Sequence, residues 1–239
     1  MNKDNNSAKL RTIRSFVRRA GRVTTRQKLA LDNLWTRYGI EPGTKVIDFA
    51  SIFERQAPIA LEIGFGNGDT LLNMAARDPH TNFIGIEVHV SGVGALLAGI
   101  AEHALTNIRV VQADAIEVLN HNIPDGSLSA VYLFFPDPWH KKRHHKRRIV
   151  QVDFVKLLHR KLIAGGIFHM ATDWQEYAEH MLATMENSPN FINQAGIGNY
   201  SAKPEYRPTT KFEQRGERLG HGVWDLIYKN NSNKLFKNR

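Results

Sequence analysis

Short apolar runs alternate with longer segments of mixed polarity along most of the chain. The runs have the length of strands and are too continuously apolar to leave one face in water, as in buried parallel strands; they lie at residues 59–63, 83–88, 108–112, 130–135 and 166–171. Helices are predicted between them at residues 69–76, 90–104 and 150–162. Because this alternation is typical of βαβ units, the sequence predicts an α/β fold with a mostly parallel, doubly wound sheet.

Both ends of the chain depart from this pattern. The polar residues 1–40 end at the turn Glu41-Pro42-Gly43, which predicts a partly flexible N-terminal arm over residues 1–50 and one folded domain over residues 51–239. Residues 187–208 are rich in Asn, Gly and Pro and are predicted to form a loop. Residues 211–228 have strand character around a glycine-bearing turn, which predicts a C-terminal antiparallel hairpin.

The composition narrows the class of protein. A chain of 239 residues with 42% hydrophobic residues is large enough for one sizeable core. It contains no cysteine, which excludes disulfides, thiolate metal sites, iron–sulfur clusters and cysteine nucleophiles. The most apolar stretch, around residues 92–101, is far shorter than the roughly 20 residues of a membrane helix. We therefore expect a soluble, cytoplasmic protein without a membrane partner.

The charge is strongly basic and unevenly distributed. The chain has 32 Lys and Arg against 23 Asp and Glu, a net charge of +9, which favours a polyanionic partner. Residues 1–28 carry nine Lys or Arg and a single acid, and residues 141–148 carry six Lys or Arg and two His. The alternative for the first of these blocks is a solvated tail.

A glycine-rich loop follows the first predicted strand and opens a helix. The motif runs from Glu62 through Gly64, Gly66 and Gly68, where nucleotide-type ligands meet the edge of a doubly wound sheet. Asp69 occupies the third glycine position of the dinucleotide fingerprint, which argues against a pyrophosphate. An acid directly before the loop suits a cationic or zwitterionic ligand, and S-adenosyl-L-methionine fits that description.

Acids also lie at the end of the second predicted strand and shortly after the third. Glu87 is placed to accept hydrogen bonds from ribose hydroxyls, and Asp114 is placed to reach an adenine amino group. Each acid alone is more often a loop or capping residue. Since the carboxyl ends of parallel strands share one edge of the sheet, three acids in this pattern predict a common cofactor site.

The stretch after the fourth strand, Pro136-Asp137-Pro138-Trp139, combines a carboxylate, two backbone-fixing prolines and a flat ring. The basic block that follows it supplies candidate RNA phosphate contacts: Arg143, Lys146, Arg147 and Arg148. This combination suits a nucleobase presented on a polynucleotide, while the alternative is a proline-rich loop whose Trp caps the core. The nearby histidines lack a recognisable ligand spacing, so we expect no metal.

Together, the motifs at residues 62–68, 85–89, 135–141, 171–174 and 210–213 resemble those of the bacterial tRNA (guanine-N7-)-methyltransferase family. The resemblance covers residues 57–228 and implies a Rossmann-like class I methyltransferase domain, S-adenosyl-L-methionine as cofactor, and a guanine of the tRNA variable loop as target. It places Glu62, Glu87, Asp114 and Asp137 at the cofactor site, with Asp137 as the catalytic candidate. The residues that it assigns to substrate contacts are Lys141, Asp173, Thr210, Lys211, Phe212 and Glu213.

The implied reaction requires few catalytic groups. Guanine N7 carries a free in-plane lone pair, so no general base and no cysteine are required. Asp137 and Asp173 are both candidates to orient the base, and the sequence does not decide between them. Alternatives are an N-methyltransferase for another nucleic acid base or a small amine, or a non-catalytic RNA-binding module. A monomer and a homodimer are equally compatible with the sequence.

Overall fold

The computed structural model describes residues 14–17, 21–209, 213 and 222–231. In this part of the chain, eight strands form one sheet in the order β1-β4-β3-β2-β5-β6-β8-β7. The strands are β1 (Gly39–Ile40), β2 (Ile59–Ile63), β3 (Asn82–Glu87), β4 (Ile108–Gln112), β5 (Leu128–Phe134), β6 (Leu162–Thr172), β7 (Phe191–Asn193) and β8 (Trp224–Asn230). The helices are α1 (Thr25–Tyr38), α2 (Phe49–Phe53), α3 (Asp69–Arg77), α4 (Val90–Glu102), α5 (Ala115–His121), α6 (Val152–Lys161) and α7 (Gln175–Glu186), with a 3₁₀ helix at Lys142–Arg147.

The order of the strands places a crevice at the centre of the sheet. From β2 the chain builds the sheet outward in one direction through β3 and β4, and then in the other direction through β5 and β6. All pairings among these five strands are parallel, so their carboxyl ends share one edge. In doubly wound sheets, ligands bind outside the carboxyl ends at the point where the order reverses, which here lies beside β2.

Both faces of the sheet are buried. Alternate residues of one strand point to opposite faces, and neighbours such as Leu61 and Ala60 pack into different hydrophobic clusters. Ile84 and Phe83 divide in the same way on β3. Every residue of β2 and β3 is buried, which explains why these strands are continuously apolar in the sequence.

Helix α1 lies in the region predicted to be an arm. The Thr24 hydroxyl accepts a hydrogen bond from the Gln27 N–H and the Gln27 side chain accepts one from the Thr24 N–H, which together cap the helix. The helix packs against α4, where a Cβ at Gly94 would lie 2.8 Å from the Gln27 carbonyl oxygen. Since β1 then pairs with β4, residues 25–40 belong to the folded unit and the boundary predicted at residue 50 falls inside it.

The C-terminal antiparallel element is confirmed, but with different partners. Strand β8 runs antiparallel to β6 on one side and to β7 on the other. Strand β7 lies within residues 187–208, which the sequence predicted as loop because Asn, Gly and Pro surround its three residues. The first arm of the predicted hairpin, at residues 211–221, lies outside the described residues except for Glu213.

No helix in the described ranges is both long enough and apolar enough to cross a membrane.

Candidate active site

The glycine loop leaves β2 at the central crevice. Gly64, Gly66 and Gly68 have φ angles of 72°, 59° and 84°, in the left-handed region that only glycine enters without strain. A Cβ at Gly64 or Gly66 would meet no atom within 4 Å, whereas one at Gly68 would lie 2.7 Å from Leu96. Gly64 and Gly66 therefore allow a tight turn beside open space, and Gly68 also allows the loop to pack closely against α4.

Glu87 fastens this loop to the end of β3. Its Oε2 accepts a hydrogen bond from the Gly66 N–H at 3.0 Å. Its Oε1 accepts from the N–H groups of Val88 and His89 at 2.7 and 3.0 Å. A carboxylate has about four acceptor positions, so three backbone bonds leave capacity for a ligand hydroxyl. Glu87 is thus both a structural anchor of the loop and a candidate cofactor ligand.

Glu62 occupies an unusual environment for an acid. Its side chain is buried on a strand with apolar neighbours, and burial together with the adjacent charge of Glu87 raises its pKa to about 8. Among the described residues, no group donates a hydrogen bond to its Oε2. A buried carboxyl oxygen without a partner can form a hydrogen bond with a bound ligand, so Glu62 remains a candidate cofactor residue.

A cavity of about 220 Å³ lies at the carboxyl edge of the sheet. Its wall includes four of the predicted site residues, Gly64, Glu87, Asp114 and Asp137. Asp114 also caps helix α5, since its side chain accepts a hydrogen bond from the Ile116 N–H at 2.9 Å. The remaining predicted cofactor residues, Glu62, Gly66 and Gly68, are outside the cavity wall in the described structure and adjoin it through the loop.

The loop that carries Asp137 has a constrained backbone. Phe135 and Trp139 have φ angles of 51° and 50°, values that are rare for residues with bulky side chains. Between them, Asp137 is exposed at the rim of the cavity. The two strained residues, together with Pro136 and Pro138, hold the carboxylate where it faces both the cavity and solvent.

Residues 14–17 contact this loop, an arrangement that was not predicted because no motif in the sequence indicates it. The Trp139 indole Nε1 donates a hydrogen bond to the Ser15 carbonyl at 3.1 Å. Arg147 donates to the carbonyl oxygens of Arg14 and Phe16 at 3.0 and 3.2 Å, and its guanidinium lies 3.8 Å from the centroid of the Trp139 ring. Ser15 and Phe16 thereby complete the cavity wall.

The basic block divides into exposed and internal side chains. Lys141, Arg143 and Lys146 are exposed, as phosphate contacts require. Arg148 is only 3% exposed, donates to the Pro138 carbonyl at 2.9 Å and lies 3.5 Å from Glu176. The prediction that Arg148 contacts phosphate is therefore wrong. Arg147 remains partly exposed, although its hydrogen bonds hold residues 14–17.

Asp173 lies apart from Asp137. It lines a second, open groove of about 650 Å³ that also contains Trp174, Glu176 and Trp224. The indole Nε1 of Trp174 is buried and has no partner among the described residues. His140 packs edge-on against Trp174, with 4.2 Å between the ring centroids, so the chain segment just after Asp137 contacts a residue of this groove.

Of the substrate residues predicted near the C-terminus, only Glu213 is among the described residues. Thr210, Lys211 and Phe212 lie outside the described residues. Glu213 is 2% exposed, and both of its carboxylate oxygens bond to Arg207, at 2.8 and 3.0 Å. This position contradicts a direct role of Glu213 in substrate contact, because its oxygens face the protein interior.

The described residues contain no group of three or more His, Asp or Glu side chains arranged to hold a metal ion.

The sheet order, the glycine loop and the acids at successive strand ends define a Rossmann-like methyltransferase fold. Solved structures show the same fold. The 16S rRNA methyltransferase KamB aligns with a TM-score of 0.57 at 14% identity, over 78% of this chain and 95% of that one. TrmN from Thermus thermophilus aligns with a TM-score of 0.51 at 14% identity, over 85% of this chain and 48% of that one.

Sequence relatives define the family. A methyltransferase family model, Methyltransf_4, matches residues 56–226. The tRNA (guanine-N(7)-)-methyltransferase of Sodalis glossinidius is 57% identical over 225 residues, which cover 94% of each chain. The protein of the same name from Psychromonas ingrahamii is 58% identical over 219 residues, covering 92% of this chain and 90% of that one. The chain belongs to the bacterial tRNA (guanine-N7-)-methyltransferase family, as its motifs predicted.

Proposed function

We propose that this protein transfers the methyl group of S-adenosyl-L-methionine to N7 of a guanine in the variable loop of tRNA. The observation that carries the proposal is one cavity whose wall joins a glycine loop and strand-end acids to Asp137, directly beside exposed cationic residues. The names of relatives that are 55–58% identical support the same reaction.

The residues of the cavity fit the proposed cofactor. Open space beside Gly64 and Gly66 admits a ligand close to the backbone, and Glu87 keeps an acceptor position for a ribose hydroxyl. Asp114 adds negative charge for a cationic ligand, and Glu62, whose pKa is about 8, offers an unpartnered carboxyl oxygen for a hydrogen bond. When bound, S-adenosyl-L-methionine supplies a methyl group activated by the positive charge of its sulfonium.

The contribution of the protein to the reaction is alignment. Because N7 has a free lone pair, the chain needs no residue to remove a proton from it before attack. Asp137 lies at the rim of the cavity, and in this proposal its carboxylate accepts hydrogen bonds from the N1 and amino hydrogens of guanine. These bonds strengthen as positive charge develops on the ring, so Asp137 both orients the base and stabilises the transition state.

Asp173 is assigned to the approach of the tRNA rather than to the reacting base. It lies in the neighbouring groove and is absent from the wall of the cavity in the described structure. Trp174 and Trp224 beside it offer aromatic surface of the kind that stacks unpaired bases. Exposed Lys141, Arg143 and Lys146 supply charge for the phosphates.

Transfer of labelled methyl groups tests this proposal. Purified protein is incubated with methyl-labelled S-adenosyl-L-methionine and unmodified tRNA, with double-stranded DNA and small amines as parallel substrates. We expect label in tRNA alone. Label in DNA or amines but not in tRNA would support the alternative N-methyltransferase, and no transfer despite cofactor binding would contradict an enzymatic role.

A further inference from the structure

A buried ionic network lies behind the cavity and takes no part in the proposed chemistry. At its centre is Arg207, which is 1% exposed. Arg207 donates hydrogen bonds to both oxygens of Glu213, and its Nε and Nη2 donate to the two oxygens of Asp225 at 2.6 and 2.7 Å. One guanidinium thus forms paired contacts with two carboxylates, a geometry that its planar fork allows and an ammonium does not.

The network is tied to the sheet on its far side. Asp225 on β8 also accepts a hydrogen bond from His169 Nε2 on β6 at 2.7 Å, and His169 Nδ1 accepts one from the Tyr206 hydroxyl at 2.9 Å. Burial lowers the pKa of His169, against the opposing effect of Asp225. Because the Asp225 carboxylate accepts the bond from Nε2, we assign the ring proton to Nε2. These bonds fix Asp225, and through it the orientation of the Arg207 guanidinium.

The same guanidinium reaches the catalytic loop. Its central carbon lies 5.8 Å from the centroid of the Phe135 ring. Phe135 lines the cavity, has a left-handed backbone and stands two residues before Asp137. Its N–H donates to the Ala171 carbonyl at 2.8 Å, so the ring is held between the sheet and Arg207. A change in the position of Arg207 therefore acts on a strained turn that carries the proposed catalytic carboxylate.

We infer that Arg207 is a positioning residue for methyl transfer, which holds Glu213 on one side and the Phe135 turn on the other in a single arrangement beside the cavity. This inference rests on the proposed function. It also gives Glu213 a defined role: its carboxylate anchors the chain to Arg207 instead of contacting substrate. Glu213 also accepts a hydrogen bond from Lys203, and Asp225 one from His169, but among the described residues only Arg207 contacts both carboxylates. Because they share this guanidinium, we expect Arg207, Glu213 and Asp225 to act as one unit.

Substitution of Arg207 by Lys tests the inference while retaining the positive charge. At saturating tRNA and cofactor, and well below the melting temperature, we expect R207K to lower kcat at least 10-fold, with the Kd for cofactor within about threefold of that of the unsubstituted protein. The concentration of active sites is taken from the stoichiometry of cofactor binding. A purely structural role would lower Tm or the fraction of folded protein and leave kcat per site unchanged.

The matched control is R77Q. Arg77 is exposed and donates to the Glu205 carbonyl, so it contacts the same segment without entering the network. We expect R77Q to keep kcat within twofold. E213Q is the second variant if R207K does not fold, and it must also lower kcat at least 10-fold.

Where both single variants fold, the kcat of the double variant R207K/E213Q must be no more than about twofold below that of the more impaired single variant. The inference is overturned if kcat is unchanged in either folded variant. It is also overturned if the fold-losses in kcat of the two single variants multiply in the double variant, because the residues would then act independently. Failure of the unsubstituted protein to methylate tRNA in the same assay contradicts the proposed function instead.

Discussion

At the residue scale, acids in similar sequence positions have different environments. Glu62 is buried and lacks a donor for one oxygen, Glu87 accepts three backbone hydrogen bonds, and Asp114 caps a helix. All three follow or end a buried parallel strand, so their shared location was predictable from the sequence. Their individual bonds were not, because these depend on the path of the loops around them.

Glu62 gives the stability of the protein a specific pH dependence. Its pKa is about 8 in the folded state and near 4.5 in the unfolded chain, so the folded state binds more protons between these values. Stability from this group is therefore complete below about pH 4.5 and is lost as the pH rises towards 8. We expect Glu62→Gln to flatten the fall in the free energy of unfolding between pH 6 and 8.5, measured by urea denaturation without ligand. Parallel curves for the two proteins would show that Glu62 ionises normally.

Asp137 is expected to act on turnover more than on binding. Asp137→Asn preserves the shape of the side chain but replaces one acceptor oxygen with a donor, which opposes the guanine hydrogens. We expect kcat to fall about 100-fold or more, as when a contact made in the transition state is lost. The Kd values for cofactor and tRNA, measured by calorimetry, should stay within a few fold. Normal turnover in the variant would remove Asp137 from the reaction.

At the scale of elements, the 3₁₀ helix holds residues 14–17, of which Ser15 and Phe16 line the cavity. Arg147 of that helix holds the segment through two carbonyl oxygens, whereas Arg143, four residues earlier, is exposed. The two arginines are therefore expected to differ in function although they share one cationic run. The sequence could not separate them, because the carbonyls that Arg147 contacts lie more than 130 residues away.

Arg147→Ala and Arg143→Ala form a matched pair that tests this difference. Within the described part of the chain, loss of Arg147 leaves Ser15 and Phe16 held only through the Trp139 hydrogen bond to Ser15, so we expect weaker cofactor binding, by about 5-fold or more, and faster cofactor dissociation in stopped-flow fluorescence. Arg143→Ala should leave cofactor binding unchanged and weaken only tRNA binding. Equal cofactor affinity in the two variants would mean that residues 14–17 do not help to hold the cofactor.

The elements themselves were largely predictable. Strands predicted at residues 59–63 and 108–112 coincide with β2 and β4, because parallel strands buried on both faces have an unmistakable apolar pattern. Helix α1 escaped prediction since only Ala30 and Tyr38 of its residues are buried. Strand β7 escaped because its pairing with β8 outweighs a local composition typical of loops.

At the scale of the whole molecule, the net charge of +9 is expected to serve tRNA binding through a defined surface. The exposed members of the 141–148 block are the candidates. In a triple variant, Lys141, Arg143 and Lys146 are each substituted by Gln. We expect the plot of log affinity for tRNA against log salt concentration to become less steep by about 2, since each phosphate contact with single-stranded RNA contributes about 0.7 to the slope.

The control for this triple variant neutralises three exposed cations elsewhere, Lys45, Lys156 and Arg160. Both variants lose the same net charge, so only the position of the charge differs. We expect the control to keep most of the original slope. Equal slopes for the two variants would show that tRNA responds to overall charge and not to this surface.

The position of the transferred methyl group decides whether this protein methylates guanine N7 in tRNA. The tRNA recovered after reaction with S-adenosyl-L-methionine is digested to nucleosides, and the methylated product is identified by mass spectrometry against authentic standards. We expect 7-methylguanosine, formed once per tRNA, and cleavage of the intact tRNA at one position after reduction and aniline treatment. Methyl groups found only on an exocyclic amine, a ribose or a base carbon would contradict this prediction.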